Sequence, residues 1–361
     1  MGTRGVPASH GGFETFAEDF ALYLLSKGWT VQVYCQVEGR GAITTDVWNG
    51  ITCIKVPVKG DSPLATAIFD FKGIIHSLAS KEVVLTLGYN TAVLNVLYRV
   101  FGIPNIINMD GVEWKRGKWN WLFKVWFYLN ETMACWIGNK LVADHPDIKQ
   151  HLLGRTFSDK ISVIPYAAPY IDEADESLLS KFNLEKGGYC ILIARPEPEN
   201  SILEVVKSFS RCTRNIKLII LGNYSAQKAY QASVLAAASG EVVFLGAIYE
   251  KAVVQSLRFH ARFYIHGHTV GGTNPSLIEA MGVGSAILAQ DNIFNRWVTD
   301  NKACYFKTET DCDEILSRMI QDDEYITTLR ASMRKRYLEE FTYDKIHGAY
   351  ENLIESLMPR H

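Results

Sequence analysis

YIHGHTVGGTNPSLIEAMGVGSAILA, residues 264 to 289, is the stretch from which the fold can be read. An apolar run ending at His266 opens into a loop with Gly271, Gly272, Thr273 and Asn274. Pro275 then suits the first turn of a helix that carries Leu277, Ile278 and Met281. A second apolar run follows at 286–289. The free N–H groups of the loop and helix start form an anion site of the kind phosphates use. Glu279 lies one turn inside the helix, where its carboxylate can accept from a sugar hydroxyl. The bland alternative is a plain βα turn with a solvent-facing Glu279.

The same alternation runs outward through the chain. Short apolar runs at 30–35, 51–56, 83–87, 105–108, 140–143 and 161–164 are expected strands of a first series. Those at 189–194, 216–221, 242–245, 262–266 and 286–289 form a second. Between them lie helical patterns, such as 13–27 with Phe13, Phe16, Phe20 and Leu24 on one face. Continuous apolar strands alternating with helices mean parallel sheets covered on both faces. Two series imply an α/β protein of two Rossmann-like domains facing across a cleft. With 361 residues the chain also exceeds the ~250 that one core usually supports. The boundary is expected in VIPYAAPYIDEADES, residues 163–177, where Pro165 and Pro169 interrupt the pattern. The expected division is 1–165, 166–340 and a C-terminal helix in 341–361 packing back toward the first domain. Beyond Asp311 the chain reads as helices only.

Composition sets limits. Hydrophobic residues make up 48% and charged residues 21%, as in ordinary globular proteins. A net charge of −2 gives no global basic field, so nucleic acid is not an expected partner and phosphate must be held by local groups. Seven cysteines without ligand spacing favour reduced thiols and the cytosol. The first residues lack the charged-then-apolar layout of an export signal, and no run of ~18 apolar residues spans a membrane. Nine histidines show no HExxH-type spacing, and Asp311–Asp313 reads as helix capping, so no metal site is expected.

Three further stretches carry polar groups at strand ends. In LIARPEPENSILEVVKSF, residues 192–209, Arg195 closes a strand, and Asn200 with Ser201 can cap a helix. A surface ion pair to Glu197 or Glu199 is the structural alternative for Arg195. In INMDGVEWKRGKWNWLFKVWFYLNE, residues 107–131, Asp110 and Glu113 follow a strand. Their carboxylates should face the cleft, or the pair could cap the next helix. Five of the eight tryptophans fall between Trp114 and Trp136, interleaved with Lys115, Arg116, Lys118 and Lys124. Residues 114–136 therefore suit either a lipid interface or a core helix with a bulky inner face. The opening MGTRGVPASHGGFETF, residues 1–16, does not have GxGxxG spacing. Gly11 and Gly12, at a helix start with Arg4 nearby in the loop, are of the kind that lets a ligand or phosphate touch backbone.

The 264–289 stretch resembles the donor-binding signature of the large retaining glycosyltransferase family with the GT-B fold, the glycosyltransferase family 4 type. That signature runs E-G-F-G-x-P-x-x-E followed by Ala-Met, and its last glutamate, here Glu279, binds the nucleotide ribose. The family's Gly-x-Gly part falls on Gly272, Thr273 and Asn274, ahead of Pro275 and Ser276. Its first glutamate falls on Gly271, which leaves sugar contacts to His266, His268 or Asn274. The family's diphosphate-binding Arg matches Arg195, while the Lys five positions on is Asn200, a neutral amide. Arg4 is the candidate to restore the lost charge.

The forms GGTNPSL-EAM, D-G-x-E-W-K-R and GTRG-x-P-A-x-x-GGFET are similar to those of bacterial β-rhamnosyltransferases of polysaccharide assembly. The resemblance implies metal-independent, retaining transfer of L-rhamnose from dTDP-L-rhamnose to a lipid-linked saccharide. It also implies a peripheral place on the inner face of the cytoplasmic membrane, in O-antigen or capsule synthesis. Asp110, Glu113 and Arg195 are the expected catalytic groups. A nucleotide-sugar 2-epimerase and a non-catalytic sugar-nucleotide binding protein are the alternatives. Such relatives place an apolar strand before the Gly2 loop. The first strand of the first sheet is therefore expected to be missing, with a gap or a substitute pairing at the sheet's centre.

Overall fold

The computed structural model describes residues 1–8, 11–117 and 119–358. Ser9 and His10 of the opening loop and the expected interfacial cation Lys118 lie outside the described residues. The chain divides into two compact units, Met1–Tyr166 with Asp344–His361, and Ala167–Tyr343.

The first unit holds β1 (Gln32–Glu38), β2 (Thr44–Trp48), β3 (Ile51–Val58), β4 (Val84–Leu87), β5 (Asn105–Asn108), β6 (Lys140–Ala143) and β7 (Ile161–Val163). They form two sheets, ordered β1-β3-β2 and β4-β5-β6-β7, parallel except for the β2–β3 pair. Of the gap or pairing expected at the centre of this unit, a backbone pairing is present. Residues 1–4 run between β1 and β4: Gln36 N donates to Arg4 O at 3.0 Å, and Leu87 N to Met1 O at 3.0 Å. Those bonds satisfy backbone groups that would otherwise be buried and unpaired. Gly2 fits there because its φ is +78° and any Cβ would lie 2.2 Å from Leu87 O.

Helix α1 (Gly12–Ser26) buries Phe16, Phe20 and Leu24, three of the four residues on its expected inner face. Phe16 and Phe20 pack on Tyr350 at 4.9 and 5.4 Å between ring centres, from the terminal helix Tyr343–Glu355. Three helices share the other face of this unit: α2 (Pro63–Ser77), α3 (Val96–Val100) and α4 (Trp121–Ile137). Ser62 caps α2 by accepting from Ala65 N, and Asn120 caps α4 by accepting from Phe123 N. Polar side chains tie the three together. Ser77 Oγ meets Tyr98 OH at 2.8 Å, and Val93 N donates to Asn130 Oδ1 at 3.0 Å.

The second unit contains β8 (Tyr189–Ile193), β9 (Lys217–Leu221), β10 (Val242–Gly246), β11 (Tyr264–His266), β12 (Ile287–Gln290) and β13 (Cys304–Phe306). All are parallel, in the order β10-β9-β8-β11-β12-β13. Tyr189, Cys190 and Ile191 are fully buried, as a strand covered on both faces requires. The chain builds outward from β8 in one direction and then restarts at β11 in the other. That reversal opens a crevice at the carboxyl ends of β8 and β11, the usual ligand position in such sheets.

Two strands were not legible beforehand. β2 is exposed along almost all its length and has no apolar run, and β13 is only three residues long. Asp311 acts in a capping box with Thr308 at the start of the helix Glu309–Gln321, as its sequence position suggested. Among the described residues no helix is long and apolar enough to cross a membrane.

Candidate functional site

The carboxyl edge of the second unit brings most of the expected donor residues together. The β11 strand ends at His266, and the loop to Asn274 leads into the helix Pro275–Gly282. Asn274 caps that helix, its Oδ1 accepting from Ser276 N at 3.0 Å. Gly271 has φ +85° and open space where a Cβ would sit, while Thr273 is buried. This loop can turn backbone N–H groups toward an anion.

Glu279 is half-exposed, and its Oε2 accepts from Arg258 Nη2 at 2.7 Å. Arg258 is itself buried and stacks over Tyr264. Ser276 Oγ lies 2.7 Å from Tyr264 OH and 3.4 Å from Arg258 Nη2. The buried guanidinium thus holds one oxygen of Glu279, and Tyr264 and Ser276 in turn pack and bond against that guanidinium. Arg258 was not singled out from the sequence. Its only signal there is a lone arginine late in the mixed helix Lys251–His260.

The loop after β8 meets the loop after β11. Arg195 is exposed and makes no ion pair with a described residue, so the salt bridge weighed as its alternative is not present. Asn200 is buried: its Nδ2 donates to Arg195 O at 2.8 Å, and its Oδ1 pairs with His268 Nδ1 at 2.6 Å. The amide holds the two loops together. Gly267 makes the approach possible, since a Cβ there would lie 2.0 Å from Asn200 O. His266 is buried, its ring stacked on Tyr264 and tilted against His268. Burial first, and then His268, hold its imidazole well below the usual histidine range, so it is neutral. No described residue bonds its Nε2.

The first unit gathers a second polar edge. Asn108, closing β5, accepts from Asp110 N at 2.9 Å and donates to Tyr350 OH at 2.8 Å. Asp110 takes φ +49°, a left-handed conformation that side chains seldom adopt outside special sites. The Glu113 carboxylate accepts from Arg116 Nη1 at 2.6 Å and Trp119 Nε1 at 3.0 Å. Its backbone N donates to Tyr89 OH. Glu113 therefore ties the 110–119 loop closed, and the helix cap is Asn120, not the acidic pair. Asp144 follows β6 and Tyr166 follows β7, on neighbouring strand ends. Burial, and then Asp110, Asp144 and Tyr350, push the Tyr166 hydroxyl well above its usual range. That convergence on Tyr166 was not read from the sequence, although Asp144 directly follows an expected strand. Phe13 of α1 packs on Tyr166 at 6.4 Å, beside Gly11 and Gly12. Arg4 lies exposed in the same unit. Among the described residues no group of His, Cys, Asp and Glu could hold a metal ion.

A family model described as "Domain of unknown function (DUF1972)" matches residues 1–169. No curated protein matches. Solved structures do. Sucrose-phosphate synthase from Thermosynechococcus elongatus is similar with TM-score 0.81 and 13% identity, covering 99% of this chain and 96% of its own. HepE of Anabaena, in complex with UDP and glucose, gives TM-score 0.77 at 12% identity, with 98% of each chain covered. A glycosyltransferase from Rickettsia africae gives TM-score 0.73 at 16% identity, covering 99% and 98%. The chain has the GT-B fold.

Proposed function

We propose that this protein is a nucleotide-sugar-dependent, retaining glycosyltransferase. One observation carries the reading: Glu279 is held by buried Arg258 at a helix start on the strand-order reversal, beside the Gly271–Thr273 loop. A carboxylate fixed at that point suits the two hydroxyls of a ribose, and the loop N–H groups suit the attached diphosphate. HepE, of the same fold, is described with UDP and glucose bound.

In this reading Arg195 and the loop N–H groups at Gly271–Thr273 stabilise negative charge as it develops on the leaving phosphate. Neutral His266, with His268 and Asn274, contacts the donor sugar. Asn200 acts from beneath by fixing the spacing of the two loops. The edge of the first unit, with Asp110 at its most strained point, takes the acceptor. The departing phosphate accepts the acceptor hydroxyl's proton on the face from which it leaves, so configuration is retained without an enzyme nucleophile. No metal is required in this scheme.

The finer proposal is L-rhamnose from dTDP-L-rhamnose, passed to a lipid-linked saccharide in cell-surface polysaccharide synthesis. It places the protein in the cytoplasm, on the inner face of the membrane, through residues 114–136. Exposed Trp121, Trp126 and Trp136 support that contact. Calorimetric titration with dTDP-rhamnose, UDP-glucose and GDP-mannose tests the donor. Preferential binding of dTDP-rhamnose is expected, and tight binding of only the other two contradicts it.

A further inference from the structure

The outward faces of α2, α3 and α4 share a chemistry that glycosyl transfer does not call for. On α2, Leu64, Ile68, Phe71 and Ile75 are exposed at helical spacing, so they form one stripe. Beside it, α3 exposes Val100, and Phe101 follows at 59% exposure. Helix α4 adds Trp121, Leu122, Val125, Leu129 and Trp136. Thr91 and Asn90, in the connection before α3, bond Asp70 of α2 and Trp126 of α4, so α2 and α4 anchor on the same short connection.

The charges on these helices are one-sided. Their only two carboxylates, Asp70 and Glu131, are 6% and 1% exposed. Glu131 is taken up inside by Arg155, His151 and Trp114. Arg99 is exposed and Lys124 half-buried, with no carboxylate on the same helices near them, while Lys72 is half-buried with its Nζ on the carbonyl of Pro57. A groove of about 980 Å³ continues from Leu129 and Trp136 toward Phe157, which is 83% exposed. Arg99, Lys140 and Lys160 line it. Lys140 Nζ bonds the carbonyl of Asp159, and Lys160 Nζ the carbonyls of Cys135 and Trp136, so neither makes an ion pair with a described residue. Among the described residues the Asp159 carboxylate is the one acidic group lining the groove, against three cations besides the paired Arg155. Burial and then the nearness of Arg99 lower the Lys160 ammonium, as crowded cations should.

We propose that α2, α3 and α4 form one docking platform for an anionic lipid bilayer, with phosphate headgroups seated in the Arg99–Lys140–Lys160 groove. Apolar stripes sink into the acyl boundary, tryptophans sit at headgroup depth, and the unpaired cations meet lipid phosphate. A second copy of the chain fits this face poorly, because a two-fold contact sets cation against cation. The proposal extends the lipid contact of residues 114–136 to two more helices and a headgroup groove. It does not depend on the identity of the donor.

Flotation of the full chain tests it, with vesicles of phosphatidylcholine alone and vesicles also containing phosphatidylglycerol. Binding is expected only with phosphatidylglycerol, and it should weaken as salt is raised. Phe71→Ser with Ile75→Gln on exposed α2 should lower partitioning about tenfold, from the apolar area withdrawn. Arg99→Gln with Lys140→Gln should lose the preference for the anionic lipid. Thermal melts unchanged from the parent confirm that the variants are folded. Full binding by the α2 variant would overturn the platform while leaving a contact through α4 alone. Equal or absent binding to both vesicles, or a dimer abolished by the α2 changes, would overturn it outright. A failure of sugar transfer alone would bear only on the proposed activity.

Discussion

Glu279 and Arg258 form a pair whose two members have different surroundings. The arginine is buried and the carboxylate half-exposed, so the pair aims one carboxylate oxygen without withdrawing the group from solvent. Charge-assisted hydrogen bonds contribute about 1.5–3 kcal/mol, so Glu279→Ala should weaken dTDP binding about 10- to 100-fold. Calorimetry with the free nucleotide measures this, and an unchanged affinity would remove the ribose assignment. Gly267 is a second such position. Gly267→Ala forces a Cβ onto the Asn200 carbonyl and should cost about 1–3 kcal/mol of stability, together with donor affinity. A variant that melts with the parent and binds equally well would show that the two loops can separate freely. Neither Arg258 nor Gly267 was legible in the sequence. One is a lone cation in a mixed helix, and the other is one glycine among several in its loop. Their roles arise from contacts between segments far apart in the chain.

Elements were read more easily than contacts, for a physical reason. β5 and β6 have the very bounds expected for them, because their centres, Ile106–Ile107 and Leu141–Ala143, are buried and apolar. β2 escaped because an exposed antiparallel edge imposes no such demand. The sequence left a gap or a pairing open at the centre of the first sheet; residues 1–4 supply a pairing, and Gly2 is its most constrained point. Gly2→Ala should lower the melting temperature by several degrees, since both φ and space exclude a Cβ. A melting temperature equal to the parent's would mean the strip contributes little.

The packing of the terminal helix on α1 makes a pH prediction. Burial among Phe16, Phe20 and Tyr23 lowers His347 to about 4. The unfolded chain binds this proton near pH 6.5 and the folded chain does not, so stability is lost as pH falls from about 6.5 to about 4. The full effect is about 3 kcal/mol. Asp70, raised to about 6 by burial, acts in the opposite sense, losing stability as pH rises toward 6. The comparison is therefore between the parent and His347→Gln. The parent should lose more melting temperature than the variant between pH 6.5 and 4, and parallel profiles would contradict the assignment.

At the scale of the whole molecule, two α/β units present polar strand ends, and the GT-B fold joins them in one chain. The fold was legible because strand–helix alternation runs through most of the chain up to Asp311. The site was legible only in part. Loop glycines and strand-end charges stand out in sequence, whereas the burial of Asn200, the closing role of Glu113 and the convergence on Tyr166 depend on tertiary packing. The most direct measurement of the account is incubation of the protein with labelled dTDP-rhamnose, with and without a lipid-linked monosaccharide, followed by analysis of the product linkage. The account predicts label on the lipid-linked product only when the acceptor is present, in a linkage that keeps the donor's configuration. Donor conversion without acceptor, or donor bound and never consumed, would contradict it.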